Sequence, residues 1–528
     1  MNQSLWPPRS AQSLWTFFLL AAAFLLLAIP AFMLGGVTWD ELFDFEGVNG
    51  AFWHGINTIK GLNPDLSTIT FDLEYFGNAT RWPTYFFWRL LATTPWESFS
   101  GLSRTAIILS GSYVGLNHLN AVIFGLLGIA LTSLIGGQLG GRRLALLSAF
   151  FLALLPTWLG HSWMNSKDIP LATSYLIYTY GSVLLLARHS RKSCSSLFGS
   201  PSLIRVLGVG LLLGSRIGSL PFVVISECVY MVLLRRAYLR ASLSVVFGLI
   251  LGYLLTPQAW NDPIGYPIEA IRFIGDRQGS PSPLDTLSYL AFHLFESLPF
   301  LIVVGIGAFL LSWPCQSPLQ KRVAEWMPVF LQLFIAPVLL VLGSKSIYNE
   351  LRHILFIYPP ICLLASSGWL WCFEKLRSRP VPRGLLSLLG LVLILVLAIE
   401  NVSLAPYQYI YRSDLARFLT PGLSVHRDYW GFSVRESTSR CLKDSQCSSL
   451  MSQVPYDLRS GDWNSDLFNG FRELLQSPSV IAAQSSPTSL QLQIAPSRDT
   501  CKSLVETTRI VFFPAPSRQL VSRVASCS

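Results

Sequence analysis

Charge is what this chain has least of. Of its 528 residues only 13% are Asp, Glu, Lys or Arg, about half the share of a soluble globular protein. That shortage excludes a soluble enzyme, a disordered chain and a fibrous protein. None of the nine cysteines forms a C-x-x-C pair, so zinc and thiol-redox motifs are missing. No Gly-rich phosphate loop follows a strand, so no nucleotide site is visible. Internal repeats and low-complexity runs are also lacking. What is present is apolar: 51% hydrophobic residues, with 38 Gly and 32 Pro and a mean hydropathy of +0.47. This is the composition of a polytopic membrane protein. The net charge of +10 comes in short basic clusters between apolar runs. Such clusters suit anionic lipid rather than a duplex, and nucleic acid is excluded as a partner.

A helix crosses the hydrocarbon core with about 20 mostly apolar residues. The first candidate, Ser13 to Leu34, is too long for a cleaved signal and lacks an A-x-A site, so it is expected to stay as an anchor. Further spans are expected to begin near His118, Leu144, Ile169, Leu203, Ile217, Ser242, Ser297, Trp326, Ile354 and Gly384, about eleven in all. The fifth and sixth are short, broken by Gly214-Ser215-Arg216, and also fit a re-entrant pair. The basic clusters Arg142-Arg143, Arg188/Arg191/Lys192, Arg235/Arg236/Arg240, Lys321-Arg322 and Lys375/Arg377/Arg379/Arg383 each follow an even-numbered span. With the N-terminus inside, all lie in the cytoplasm. The expected fold is therefore an all-α bundle over residues 1–400, with large outer loops at 35–117 and 257–295. Residues 401–528 form a small extracytoplasmic α/β domain. In that tail Leu490 to Ile494 and Arg509 to Phe513 read as strands, and Ala416 to Leu419 and Leu467 to Leu475 as helices. The tail's Cys441, Cys447, Cys501 and Cys527 permit disulfides, with three possible pairings. Cys228, Cys362 and Cys372 are expected to pack in spans.

The outer loops hold the residues able to do chemistry. Thr38-Trp39-Asp40-Glu41, then Asp44 and Glu46, place acids beside the first span. They fit a solvated loop start or a carboxylate cluster able to take a proton from an acceptor hydroxyl. Ala79 to Leu91, rich in Trp, Phe and Arg, reads as an amphipathic helix in the interface, and Gly101 to Leu109 as a second. Asn78-Ala79-Thr80 matches a glycosylation sequon. In His161 to Pro170, Asp168 suits a helix N-cap. Capping leaves the crowding of His161, Asn165 and Lys167 unexplained. Lys345, Arg352 and His353 put cations on the outer side, where they fit headgroup snorkelling or a clamp on a lipid-linked phosphate. Arg216, at an outer edge, fits the same clamp.

Taken in order, these residues resemble the GT-C superfamily of membrane glycosyltransferases, in the branch of protein O-mannosyltransferases and aminoarabinose transferases. Asp40-Glu41 is similar to the acidic pair after that family's first span, and Asp168 to its second acid. His161 to Pro170 resembles G-H-S-F-x-N-P-K-D-I-P, with Ser166 where Pro is expected. Glu350-Leu351-Arg352-His353 with Pro359-Pro360, Pro406-Tyr407-Gln408-Tyr409 and Asp428-Tyr429-Trp430-Gly431 add to the likeness. The resemblance runs over most of residues 35–435. It implies inverting transfer of a sugar from a polyprenyl- or dolichyl-phosphate donor to a lipid, glycan or protein acceptor at the outer face of a bacterial inner membrane. In that scheme Asp40 is the base and Glu41 positions the acceptor or a cation. Asp168 supports the base, or with Asp40 a divalent metal ion. Lys345, Arg352, His353 and Arg216 hold the donor phosphate, and His161, Asn165 and Lys167 contact substrate. A secondary transporter or lipid-linked-substrate flippase is the alternative, and a non-catalytic scaffold a third possibility. The tail is expected to cap the outer loops or to bind sugar.

Overall fold

The computed structural model describes residues 21–30, 35, 38–62, 77–91, 112–190, 199–234, 238–276, 281–313, 319–344, 351–419, 432–446, 489–493, 502–511 and 517–527. The chain runs through helices α1 (Ala21–Pro30), α2 (Trp39–Ile59), α3 (Trp82–Leu91), α4 (Ser112–Leu154), α5 (Pro156–Met164), α6 (Asp168–Ser190), α7 (Ser200–Ser215), α8 (Leu220–Leu234) and α9 (Tyr238–Leu254). It continues through α10 (Gly265–Asp276), α11 (Pro283–Ser297), α12 (Phe300–Ser312), α13 (Leu319–Leu342), α14 (Tyr358–Lys375), α15 (Pro380–Leu404), α16 (Asp414–Leu419) and α17 (Val434–Lys443). Six helical stretches of the described residues are long and apolar enough to cross a membrane, or seven if the bent pair α11–α12 counts as one. The chain is a multi-pass integral membrane protein.

An apolar helix stands at the place of each expected span, and two departures have clear causes. The second and third spans are one element, α4, whose backbone leaves helical geometry at Gly140 and Gly141. Gly141 has φ +74°, which glycine adopts without a Cβ penalty. Beyond the turn the Ser148 hydroxyl reaches the Thr132 carbonyl at 3.5 Å, so the element is two antiparallel helices closed by a tight corner. The span expected from Ser297 instead begins after a break at Leu298-Pro299, where α11 and α12 meet at 115°. Pro299 donates no backbone N–H and bars continuation of α11.

The bundle is organised around α6. Its spanning stretch is 94% buried, against 22% for α15, whose Leu385, Leu388, Leu391, Val392 and Leu395 stay exposed. An apolar helix surface of that kind faces lipid. α6 packs on α4 and α7, and α7 on α9. A polar tie locks these helices inside the bundle. Buried Arg205 pairs with Glu227 and donates to Ser244 at 3.0 Å, and the Tyr178 hydroxyl donates to Glu227 at 2.5 Å. Cys362 is buried as expected, whereas Cys228 is exposed on α8.

The expected loop 35–117 contains α2, a 21-residue helix that the sequence pattern hides. The amphipathic segment is α3. It buries Trp82, Tyr85 and Trp88 and exposes Phe86, Phe87 and Leu90. Asn78 is buried with its amide donating to the Gly47 carbonyl at 3.4 Å, so the sequon offers no accessible acceptor. Gly101 to Leu109 and Leu467 to Leu475 lie outside the described residues. In the tail, α16 matches the expected helix. β1 (Ser489–Gln493), β2 (Lys502–Val511) and β3 (Ser517–Cys527) form an antiparallel sheet in the order β1-β3-β2. β1 and β2 fall at the expected strands, shifted by one to several residues, while β3 was not expected. β2 and β3 pack on α17, and β2 also on α15. Cys441, buried on α17, is disulfide-bonded.

Candidate functional site

The N-terminus of α2 sets the first part of the site. Glu41, three residues after the N-cap Thr38, accepts the Thr38 backbone N–H at 2.9 Å, one half of a capping box. The same buried carboxylate meets His118 Nε2 at 3.0 Å and accepts from the Asn117 amide at 3.3 Å. One turn on, Asp44 is equally buried. It pairs with Arg81 at 3.1 Å and Lys167 at 2.5 Å, and accepts from the Ser166 hydroxyl at 3.1 Å. Asn117 also donates to Ser166 at 3.0 Å. A polar chain therefore runs His118–Glu41–Asn117–Ser166–Asp44 and ends on two cations. Ser166, where the sequence resemblance expects Pro, is a link that proline could not make.

The turn between α5 and α6 supplies the second part. Asn165, rather than Asp168, caps α6: its carbonyl oxygen accepts the backbone N–H groups of Lys167 at 3.2 Å and Asp168 at 2.7 Å. The short amide side chain reaches these orphan donors, which leaves the Asp168 carboxylate for other partners. It takes the Asn165 amide at 3.0 Å and pairs with Arg216 at 3.3 Å. The Asn165 amide also meets His161 Nδ1 at 3.2 Å. Burial pushes the His161 imidazole down to about 3, opposed by the Asp168 charge and reinforced by Arg352. The charges of Arg352 and His353 also act on Asp168. Arg352 is buried in the 3₁₀ turn Arg352–Ile357.

Arg81, Lys167 and Arg216 converge on one polar pocket, walled also by Gly77, Thr80, Leu171 and Ser215. The segment before α3 is stitched in place: Ala79 N–H donates to Gly214 O at 3.0 Å, Trp82 Nε1 to Leu255 O at 2.8 Å and Asn120 to Thr80 O at 3.0 Å. Position 77 must be glycine, because a Cβ there would lie 2.0 Å from the Gly214 carbonyl oxygen. Gly77 also borders a second cavity of about 330 Å³. Its walls are mostly apolar, from Leu213, Ile217, Leu220, Leu249, Ile250 and Tyr253. A cationic pocket and a greasy groove thus share a wall.

Of the residues singled out from sequence, Glu41, His161, Asn165, Lys167, Asp168, Arg216, Arg352 and His353 gather at this end of the bundle. Asp40 is the second residue of α2, and its side chain lies outside the described set, as do Lys345 and Glu350. Asp44, Arg81, Asn117, His118 and Ser166 carry contacts that their local sequence did not announce. A polar pair, Asn117-His118, opening an apolar span was the available signal. No group of three His, Cys, Asp or Glu among the described residues could hold a metal ion. Three carboxylates of the site face basic side chains: Glu41 His118, Asp44 Arg81 and Lys167, Asp168 Arg216. The divalent ion expected between Asp40 and Asp168 involves Asp40, whose side chain lies outside the described residues. Of the other motifs, Gln408 accepts from Trp163 at 3.0 Å and Tyr407 donates to Glu436 at 2.6 Å. Both braces hold α5 and α17 near the site, and Phe432 reaches the His118 ring, 5.7 Å between centroids. Asp428 to Gly431 lie outside the described residues.

No family model and no curated protein matches the chain. Among solved structures it is similar to ArnT from Cupriavidus metallidurans bound to undecaprenyl phosphate, with a TM-score of 0.50 and 13% identity over 96% of this chain and 97% of that one. The chain shares the fold of that ArnT structure. ArnT in the apo state gives a TM-score of 0.49 at 14% identity, over 98% of each chain. The archaeal oligosaccharyltransferase AglB from Archaeoglobus fulgidus, in complex with an inhibitory peptide and a dolichol-phosphate, gives 0.48 at 13% identity, over 90% of this chain and 61% of that one. Within this fold the cationic pocket lies where the segment before α3, the α5–α6 turn and the end of α7 meet.

Proposed function

We propose that the chain is an inverting membrane glycosyltransferase that takes its sugar from an isoprenoid-phosphate donor. The observation that carries this is the shared wall at Gly77 between the pocket of Arg81, Lys167 and Arg216 and the apolar groove. A lipid-linked phosphate needs both compartments, in contact. ArnT, of the same fold, holds undecaprenyl phosphate. In the proposed reaction an acceptor hydroxyl oxygen bonds to the anomeric carbon as the bond from that carbon to the phosphate oxygen breaks. The hydroxyl proton passes to Asp40, and the phosphate leaves on its lipid as a monoester. Arg81, Lys167 and Arg216 stabilise the charge that grows on the leaving oxygen, with Lys345, Arg352 and His353 adding positive potential. Glu41 sets the entrance of α2 and hence the place of Asp40. We assign the chain about eleven crossings, an inside N-terminus, an extracytoplasmic tail with a small α/β unit, and a bacterial inner membrane.

The test is transfer from a radiolabelled polyprenyl-phosphate sugar in membranes. Asp40→Asn abolishes transfer while the protein still inserts. Arg216→Ala lowers the rate by about 10²–10³, the typical loss of one charge-stabilising donor. Near-normal turnover in both variants would reject the scheme.

A further inference from the structure

Two histidines of the site stand on different helices beside different acids. His118, on α4, pairs with Glu41. His161, on α5, meets Asn165, which holds Asp168. Both rings lean on aromatic side chains from the segment after α15. Phe432 packs on His118 at 5.7 Å between centroids and 69° between planes. It packs in the same way on Tyr407, at 6.2 Å and 80°, and on Tyr409, at 6.5 Å and 74°. Tyr409 in turn lies 6.1 Å from the His161 ring. Steeply inclined rings at such distances meet edge to face, which their quadrupoles favour and which fixes orientation as well as spacing. Phe432 thus stands between the Glu41 arm of the site and the Asp168 arm.

This hub is firmly mounted. Phe432, Tyr407 and Tyr409 are all buried. The Tyr407 hydroxyl donates to Glu436 on α17 at 2.6 Å. Gln408 Nε2 donates to the Asn401 carbonyl at 3.0 Å, which ties the turn to the end of α15. Gly160 lets α5 lie against the same turn, because a Cβ there would come 2.1 Å from the Tyr409 nitrogen.

We infer that Phe432 is a positioning residue that keeps the two arms at a fixed separation and acts on the base side through His118 and Glu41. The inference rests on the proposed transfer and deepens it. Glu41 caps the first turn of α2, the turn that carries Asp40. A His118 ring free to rotate loosens its grip on Glu41, and the turn loosens with it. The other arm leads through Asp168 to Arg216, on the phosphate side. In-line displacement needs the attacking oxygen and the leaving phosphate in register, and an error of about 1 Å costs about 10²-fold in rate. The segment after α15 is thereby a working part of the site as well as a cover over it.

The test is amide hydrogen exchange of the full-length protein in detergent, which needs neither donor nor acceptor. Phe432→Leu keeps an apolar side chain and removes the ring. In this variant exchange over the first turns of α2 should rise about tenfold, while α10 exchanges as in wild type. If Phe432 only fills space, exchange rises in its own segment and α2 is unchanged, and that result would overturn the inference. If Phe432→Leu does not fold, Glu41→Gln reads the same link backwards, because coupling is reciprocal. Exchange over α17 should then rise, and an unchanged α17 overturns the inference equally. In the membrane transfer assay Phe432→Leu should lower kcat about tenfold. Combined with Glu41→Gln it should cost no more than Glu41→Gln alone, whereas losses that multiply would show that Phe432 does not act through Glu41. If wild type transfers no sugar from a polyprenyl-phosphate donor, the proposed function falls, and exchange still decides whether Phe432 holds α2.

Discussion

His161 carries a sign-definite consequence at the scale of a single residue. Its ring is buried against Asn165 and held neutral, with the pKa pushed down to about 3. An unfolded chain returns it to its ordinary value near 6.5. Between those two values the unfolded state takes up a proton that the folded state refuses, so this residue's stabilising effect is complete above pH 6.5 and declines as pH falls toward 3. At pH 5 the loss amounts to about 2 kcal/mol. Thermal melts of the detergent-purified protein should therefore drop more between pH 7 and pH 5 in wild type than in His161→Gln. Equal drops would show that the imidazole takes up its proton in the folded protein as well. Lys167 shows a different logic. Read locally it belongs to a polar turn before a span, but its ammonium leaves that turn to meet Asp44 on another helix.

At the scale of elements, the tie between α6, α7, α8 and α9 is the feature most open to measurement. Arg205 and Glu227 are both buried, and Tyr178 and Ser244 complete their hydrogen bonds. Removing one member strands a charge, which typically costs 3–5 kcal/mol, about the cost expected for Arg205→Ala, whereas replacing both with apolar residues is often close to neutral. Arg205→Met/Glu227→Leu should accordingly melt nearer to wild type than Arg205→Ala does. A double variant no better than the single would mean that the pair's geometry, not its charge balance, holds these helices. Long apolar runs made the spans legible, because about 20 residues without charge have few other uses. α2 escaped notice for the opposite reason. Its Asp40, Glu41, Asp44 and Glu46 and its Gly47, Gly50 and Gly55 break both apolar pattern and helix propensity. Protein contacts, not lipid, bury it. β3 was hidden because Ser517 to Cys527 alternates only weakly, and its place between β1 and β2 comes from pairing. Within the site, acids and cations could be named from sequence, but their partners could not: Asp44 and Arg81 come from separate segments, and no period marks such a meeting.

For the whole molecule the decisive property is sidedness. In the proposed topology the basic clusters between the expected spans, including Lys375, Arg377, Arg379 and Arg383, lie in the cytoplasm. The same proposal puts the polar pocket, α10 and the tail on the outer side. Ile264, strongly exposed before α10, and Ser378, exposed after α14, sit on opposite sides in this scheme. In a background lacking the native cysteines, Ile264→Cys should react with an impermeant maleimide added outside intact cells. Ser378→Cys should react only after permeabilisation. The reverse pattern would put the pocket on the cytoplasmic side and rule out an extracytoplasmic acceptor.

Gly77 belongs to two compartments at once and has no side chain with which to separate them. In the proposed reaction the oxygen joining phosphate to isoprenoid passes that bare stretch of backbone, which works as a depth gauge. Everything on one side of it is measured in charge, everything on the other in carbon. A longer or shorter carrier then changes how firmly the donor is anchored, while the carbon under attack stays at the same height above the groove.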